Sequence, residues 1–205
     1  DLMNVLCSCG VCVKHETHIY EWKGLHQIEE TLQNLQKSIE LLAINNRQRT
    51  SLFDLPESPP IGLLTTTLIS LFLFLGKQTL NLHDIARFFT PDIKKEKQII
   101  RRLYLVTYLL EKIKILRHGS RIGEYEFNYN IKSITKKALD EISATENLPP
   151  DSIEFQLNHF NDSYINCTQQ VRFNTFCDVI EARSNTPMKT IKDYQPSILP
   201  QAIDV

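Results

Sequence analysis

Two segments of the chain, 104 residues apart, repeat one pattern of residues. The first segment, DLMNVLCSCGVCVKHETHIYEW, begins at Asp1, and the second, LVTYLLEKIKILRHGSRIGEYEF, begins at Leu105. The other aligned pairs are Leu6 with Leu110, Val11 with Ile115 and, after a gap of one residue, Tyr20-Glu21-Trp22 with Tyr125-Glu126-Phe127. An internal repeat predicts two copies of one structural unit, and the first copy is present here only from within a helix onward.

The hydrophobic pattern and the turn residues predict the elements around this repeat. From 25 to 42 apolar residues recur every three or four positions, which predicts an amphipathic helix, and a polar linker follows as far as Pro59-Pro60. The other predicted helices are 1–6, 63–75, 82–89, 95–112 and 134–142, and the predicted strands are 11–13, 18–22, 113–117 and 124–129. No trustworthy periodicity follows toward the C-terminus.

The order of elements in the second half is helix, helix, turn, helix and hairpin, which is typical of a winged-helix domain, a variant of the helix-turn-helix. The sequence therefore predicts an α+β chain with one complete winged helix and the C-terminal part of a second. The predicted divisions are 1–24 for the partial first domain, 25–57 for the amphipathic helix and linker, 58–131 for the complete domain, and 132–205 for a C-terminal region of unknown role.

Two adjacent arginines, Arg101 and Arg102, lie near the start of the predicted helix 95–112, in the stretch IIRRLYLVTYLL. Apolar residues at 99, 103, 106, 109 and 110 supply one face of this helix. An unpaired guanidinium group is among the costliest groups to bury, so the arginines are expected to point away from that face. Arginine is the residue that most often reads guanine in the major groove of DNA, which makes these two the candidate base-reading residues.

Positive charge is concentrated in one segment, although the whole chain has a formal net charge of −1. From 58 to 132 there are twelve Lys and Arg against six Asp and Glu, a balance of +6. This concentration indicates a polyanionic partner, and a solvated basic face is the alternative. Tyr104 is expected either to donate its hydroxyl to a phosphate or to pack. The candidate contacts to the DNA backbone are Tyr104, Lys94, Lys95, Lys97, Arg117 and Arg121.

The cysteines favour buried free thiols over a metal site. Their number is odd and nothing resembles a signal peptide, which indicates a reducing compartment. The first three have a spacing that zinc sites use, with a histidine nearby as fourth ligand, but the repeat puts the second and third on Ile113 and Leu116, which are predicted core positions. The five are Cys7, Cys9, Cys12, Cys167 and Cys177. No metal and no cofactor are expected.

Enzymes and membrane proteins are not favoured by the sequence. There is no nucleophile–base pair, paired-carboxylate motif or phosphate-binding glycine loop, and the chain contains only six glycines. The longest apolar run, 62–75, is interrupted by threonines and is too short to span a bilayer.

Three phrases resemble a known family. Arg101-Arg102-Leu103-Tyr104, followed by an aliphatic helix, resembles the RRxYD signature of the E-two-F and DP cell-cycle transcription factors. PIGLLTTTLISLFL is similar to the first helix of that family, and YEWKGLHQIEETLQNLQ is similar to the phrase that follows the first module in its atypical branch. Atypical members carry two winged helices in one chain and work without a DP partner. The resemblance covers about 1–42 and 58–130, with the first domain truncated.

The resemblance implies a nuclear protein that binds double-stranded DNA at a GC-core site in cell-cycle promoters, as a repressor independent of DP. The two winged helices would pair within the chain in imitation of a heterodimer, and a homodimer is a further arrangement. The family signature in the first copy would consist of Asp1 and Asn4.

Leu105 departs from the family signature, which has an aspartate at this position. Without that carboxylate, which helps to hold a guanidinium in its plane, the second copy is expected to read bases less strictly than the first, unless Leu105 is a core residue. The departure also supports an alternative function, a winged helix that has lost DNA binding and serves as a scaffold, with the helix 25–42 as its docking surface. A single-module member that pairs with DP is disfavoured by the second copy.

Overall fold

The computed structural model describes residues 1–45, 52–145 and 162–184. Within these ranges the fold is α+β, as predicted, with seven helices and two antiparallel sheets. In chain order the elements are α1 (Leu2–Ser8), β1 (Cys12–Glu16), β2 (Ile19–Trp22), α2 (Gln27–Asn45), α3 (Ile61–Leu75), β3 (Thr79–Asn81), α4 (Leu82–Phe89), α5 (Ile93–Lys112), β4 (Leu116–His118), β5 (Glu124–Phe127), α6 (Ile131–Thr145) and α7 (Asp162–Ser184).

The two copies of the repeat end their first helix with the same backbone hydrogen bonds. In the first copy the Val11 amide donates to the Leu6 carbonyl at 3.0 Å, and in the second the Ile115 amide donates to the Leu110 carbonyl at 2.9 Å. Both carbonyls belong to the last turn of a helix, where no partner within the helix remains for them. The alignment made from the sequence is confirmed at these positions.

The turn and hairpin that follow also correspond. The residue after the helix cap has a left-handed backbone in both copies, with φ of 73° at Gly10 and 60° at Lys114. The strand pairs match one for one: Cys12–Trp22 with Leu116–Phe127, Val13–Glu21 with Arg117–Glu126, and Lys14–Tyr20 with His118–Tyr125. Each hairpin therefore has the same register relative to its helix.

The second copy has elements in front of its hairpin that have no counterpart before the first hairpin among the described residues. Helices α3 and α4 precede α5, and β3 pairs with the outer edge of β5 to give a sheet in the order β3-β5-β4. Side-chain caps set the starts of two of these helices. Asn81 accepts from the His83 amide at 2.9 Å, and Asp92 accepts from the Lys94 amide at 2.8 Å.

One hydrophobic core joins the two copies and α7. Helix α2 packs along α6, α1 packs against α3, and α7 lies on α3 and α4. Arg172 connects α7 to α2 and α3. Its guanidinium donates to both Glu40 oxygens of α2 at 2.7 Å and lies 4.2 Å from the centre of the Phe74 ring of α3. Both charged side chains are buried, so removing either one would leave an unpaired buried charge and destabilise the fold.

One strand prediction was wrong and one strand was not predicted. The strand predicted for 113–117 begins only at Leu116, because α5 continues to Lys112 and the left-handed turn at Lys114 occupies the residues between. Strand β3 was not predicted, since three residues are too few to show a period of two.

Helix α7 was not predicted either. Its 23 residues have polar side chains among the buried ones, including Gln169 and Arg172, so apolar residues alone do not mark its inner face. The predicted polar linker also contributes to the core. Phe53 is buried and its ring centre lies 5.2 Å from that of Phe74.

Among the described helices, none has the length and apolar character needed to cross a membrane.

Candidate nucleic-acid interface

One face of α5 is exposed along the length of the helix. The opposite face is buried through Ile99, Leu103, Val106 and Leu110, whose spacing of three and four residues leaves the other side of the helix to solvent. We call the exposed set the α5 stripe: Lys94, Lys97, Gln98, Arg101, Tyr104, Leu105, Tyr108 and Lys112.

The α5 stripe carries four cations and no carboxylate. The two glutamates of α5 lie toward neighbouring elements instead. Glu96 is 3.8 Å from Arg87 of α4, and Glu111 is 3.6 Å from His118 of β4. No acidic side chain on the stripe cancels the positive potential, which therefore favours a polyanion.

The structure separates the two adjacent arginines. Arg101 is exposed on the α5 stripe and forms no ion pair or side-chain hydrogen bond within the described part of the chain. Arg102 is half-buried and lines a cleft of about 360 Å³ between residues 54–59 and the start of α5. Successive helix residues point about 100° apart, so the two guanidinium groups serve different surfaces. Arg101 is the arginine available to a ligand of the stripe.

The candidate backbone contacts outside the stripe are partly engaged within the protein. Lys95 lies 3.2 Å from Glu57. In the hairpin, Arg117 donates through Nε to Glu126 at 3.0 Å, and this hydrogen bonding lowers the pKa of the Glu126 carboxyl. Arg121 is exposed in the turn between β4 and β5. Lys95 and Arg117 each have a carboxylate partner, whereas the Arg121 guanidinium has none among the described residues.

Leu105 and its neighbours on the stripe are exposed. Leu105 is 38% exposed and Tyr104 is 40% exposed, so neither belongs to the core. The prediction that allowed Leu105 to be a core residue is therefore wrong. Tyr108 is 55% exposed, and the Lys112 ammonium lies 5.0 Å from the centre of its ring. An apolar and aromatic patch thus continues the stripe beyond Arg101.

Of the two signature residues of the first copy, Asn4 lies near the start of α3. Asp1 precedes α1 and makes no side-chain cap to it. Asn4 is exposed, but one turn later Ser8 donates both to the Asn4 carbonyl at 2.8 Å and to the Gly62 carbonyl at 3.1 Å. In the repeat, Asn4 and Ser8 align with Tyr108 and Lys112 of the α5 stripe. The start of α3 therefore contacts the face of α1 that corresponds to the C-terminal end of the stripe.

The cysteines of the first copy are largely buried, as the repeat predicted. Cys9 and Cys12 are 1% and 4% exposed. Burial raises the pKa of the Cys9 thiol to about 12, so that it is neutral under ordinary conditions. Among the described residues no cluster of three or more metal-binding side chains occurs.

Comparison with protein-family models, curated proteins and solved structures gives no match. The function of the chain must therefore be inferred from the α5 stripe and from the repeat.

Gln98, Tyr108 and Lys112 belong to the α5 stripe but were not among the residues predicted from the sequence. The signal that identifies them is the helical period itself. Steps of three and four residues from Lys94 and Arg101 reach all of them, whereas the phrase that contains the two arginines ends at Tyr104.

Proposed function

We propose that this chain binds double-stranded DNA sequence-specifically through the α5 stripe and regulates transcription. The observation that carries the proposal is the composition of the stripe, which combines four cations, an exposed amide and two tyrosines without a carboxylate. These side chains suit phosphates and base edges, which are hydrogen-bond acceptors for the most part.

In this proposal each copy of the repeat is a winged helix, whole or in part, and α5 is the helix that enters the major groove. It has 20 residues and a length of about 30 Å, and the groove is about 12 Å wide, enough for one helix. The N-terminal residues of such a helix contact base edges, and Lys94, Lys97 and Arg101 all lie in the first half of α5. The hairpin β4–β5 would place Arg121 against the flanking phosphates.

The remaining details rest on the resemblance to atypical E-two-F proteins. They are a nuclear location, a GC-core site in cell-cycle promoters, repression without a DP partner, and no enzymatic activity. The matching hydrogen bonds of the two copies support the part of the proposal that places two related units in one chain.

Binding of the chain to a GC-core duplex and to a scrambled duplex, followed by fluorescence anisotropy over a salt series, tests the proposal. Tighter binding to the GC-core duplex and a steep fall in affinity with salt are expected. Replacing Arg101 by Ala should weaken binding to the GC-core duplex by roughly 1–3 kcal/mol and reduce the discrimination. Lys132→Ala is the matched control, because Lys132 is an exposed cation on α6, outside the stripe.

A second candidate function is a protein-interaction scaffold. The observation that favours it is Leu105, an exposed apolar residue at the position where the family signature has an aspartate. Absence of DNA affinity at low salt would favour the scaffold, and equal affinity for both duplexes would reduce the stripe to a non-specific phosphate contact.

A further inference from the structure

The apolar part of the α5 stripe is unusual for a surface meant only for phosphates. Tyr104, Leu105 and Tyr108 are exposed next to one another on one helix face, with Arg101 on one side and Lys112 on the other. A single exposed leucine needs no explanation, but this one lies between two exposed tyrosines inside a cationic stripe.

The position of Leu105 relative to Arg101 brings it within reach of a neighbouring base pair. Four residues of helix separate them, which corresponds to about 6 Å along the axis and places both side chains on the same face. Base pairs follow one another every 3.4 Å along DNA. If Arg101 contacts a guanine, Leu105 is within reach of a base pair one or two steps away.

The major groove offers one apolar group to such a side chain, the C5-methyl group of thymine. A carboxylate at position 105, as in the signature that the stripe resembles, would instead accept a hydrogen bond from the cytosine amino group. A leucine at position 105 therefore favours thymine, whereas an aspartate there would favour cytosine.

We propose that Leu105 reads thymine through its C5-methyl group, one or two base pairs from the guanine that Arg101 contacts. This inference rests on the proposed function and deepens it, since it names the base that the second copy selects. The ligand is double-stranded DNA, as the four cations and the missing carboxylates of the stripe indicate.

The test replaces each thymine near the GC core, one at a time, by deoxyuridine, which lacks only the methyl group. At one position the affinity of the unaltered protein should fall about fourfold, the value of one buried methyl group. Leu105→Ala should bind the thymine duplex less tightly and should not distinguish thymine from uracil at that position. Leu63→Ala is the matched control, because Leu63 is 41% exposed on α3 and should leave the fourfold difference intact.

A second variant, Leu105→Asp, tests the same contact by replacing the apolar side chain with a hydrogen-bond acceptor. The side chain is partly exposed, so this variant should still fold, with a modest loss of stability in a urea titration, and it should prefer cytosine to thymine at the sensitive position.

The outcomes separate this inference from the proposed function. Discrimination between the GC-core and scrambled duplexes, without sensitivity to uracil at any position, overturns the role of Leu105 and leaves the DNA-binding function standing. A uracil effect that persists in Leu105→Ala assigns the methyl contact to another side chain and likewise overturns the inference. If neither duplex binds, the proposed function itself fails.

Discussion

The two hairpins have the same strand register but differ in the burial of their aromatic residues. Trp22 and Phe127 occupy the same register position, yet Trp22 is 61% exposed whereas Phe127 is fully buried. In the second copy the Phe127 ring stacks on Phe72 of α3 at 5.6 Å, and β3 covers the outer edge of β5. In the described first copy, no strand pairs with the outer edge of β2.

This difference shows that the repeated segment determines the local backbone but not its burial. Helix end, left-handed turn and strand register follow from residues within the segment, because the partners of those hydrogen bonds lie inside it. Burial of the aromatic residue instead depends on α3 and β3, which come earlier in the chain. The same sequence pattern therefore packs into the core in the second copy and faces solvent in the first, where α3 and β3 have no counterpart among the described residues.

The largest effect on the free energy of unfolding is expected for the aligned pair Phe127 and Trp22. Phe127→Ala should lower the free energy of unfolding by about 3–5 kcal/mol, because it removes a fully buried ring. Trp22→Ala should change it by no more than about 0.5 kcal/mol, since most of that ring already faces solvent. Urea titration of both variants measures the difference. Equal losses would mean that Trp22 is covered in solution.

The pH dependence of stability separates the copies through Cys9, whose aligned partner Ile113 does not titrate. The pKa of Cys9 is raised to about 12 in the folded protein from an ordinary value of 9.0, so folding favours the neutral thiol. This contribution to stability is complete below pH 9 and is lost as the pH rises from 9 toward 12.

Between pH 9 and 11, the unfolding free energy of the unaltered protein should therefore fall faster than that of Cys9→Ala, by up to about 1.4 kcal/mol per pH unit. Urea titrations at several pH values give both slopes. Parallel slopes would show that the Cys9 thiol is accessible to water. Zinc bound in stoichiometric amount would show that the cysteines are metal ligands and not buried free thiols.

A smaller pair of effects concerns the left-handed turns. Gly10→Ala should destabilise the protein by about 1–2 kcal/mol, since the residue would keep a φ of 73° and its new Cβ would lie 2.0 Å from Thr31 Oγ1. Lys114→Gly, at the equivalent turn, should stabilise it by up to about 1 kcal/mol by removing backbone strain. Thermal unfolding of both variants measures these shifts. Changes of the same sign would show that the two turns are not equivalent.

Much of the fold could be predicted from the sequence because local signals agree with the tertiary structure. The predicted helix 82–89 has the bounds of α4, and the asparagine before it caps the helix as its residue type suggests. Strand β3 and helix α7 could not be predicted. The first is too short to show a period, and the second buries Gln169 and Arg172 through contacts with elements far along the chain.

The candidate site was predictable in part. The apolar period of α5 predicted that Arg101 faces outward, which the structure confirms. Sequence alone could not separate Arg102 from it, because the cleft that Arg102 lines is formed partly by residues 54–59. The exposure of Leu105 also depends on how α5 packs against the rest of the domain, which the residues of the helix alone do not determine.

The central claim is that Arg101, on the α5 stripe, reads guanine, and a double-mutant cycle with altered DNA tests it most directly. Guanine presents N7 and O6 to the major groove, and 7-deazaguanine in the GC core removes only the N7 acceptor. The unaltered protein should lose part of the roughly 1–3 kcal/mol that a bidentate contact to guanine contributes, whereas Arg101→Ala should bind both duplexes equally. An equal loss for both proteins would contradict the claim, because the guanine would then be read by another side chain.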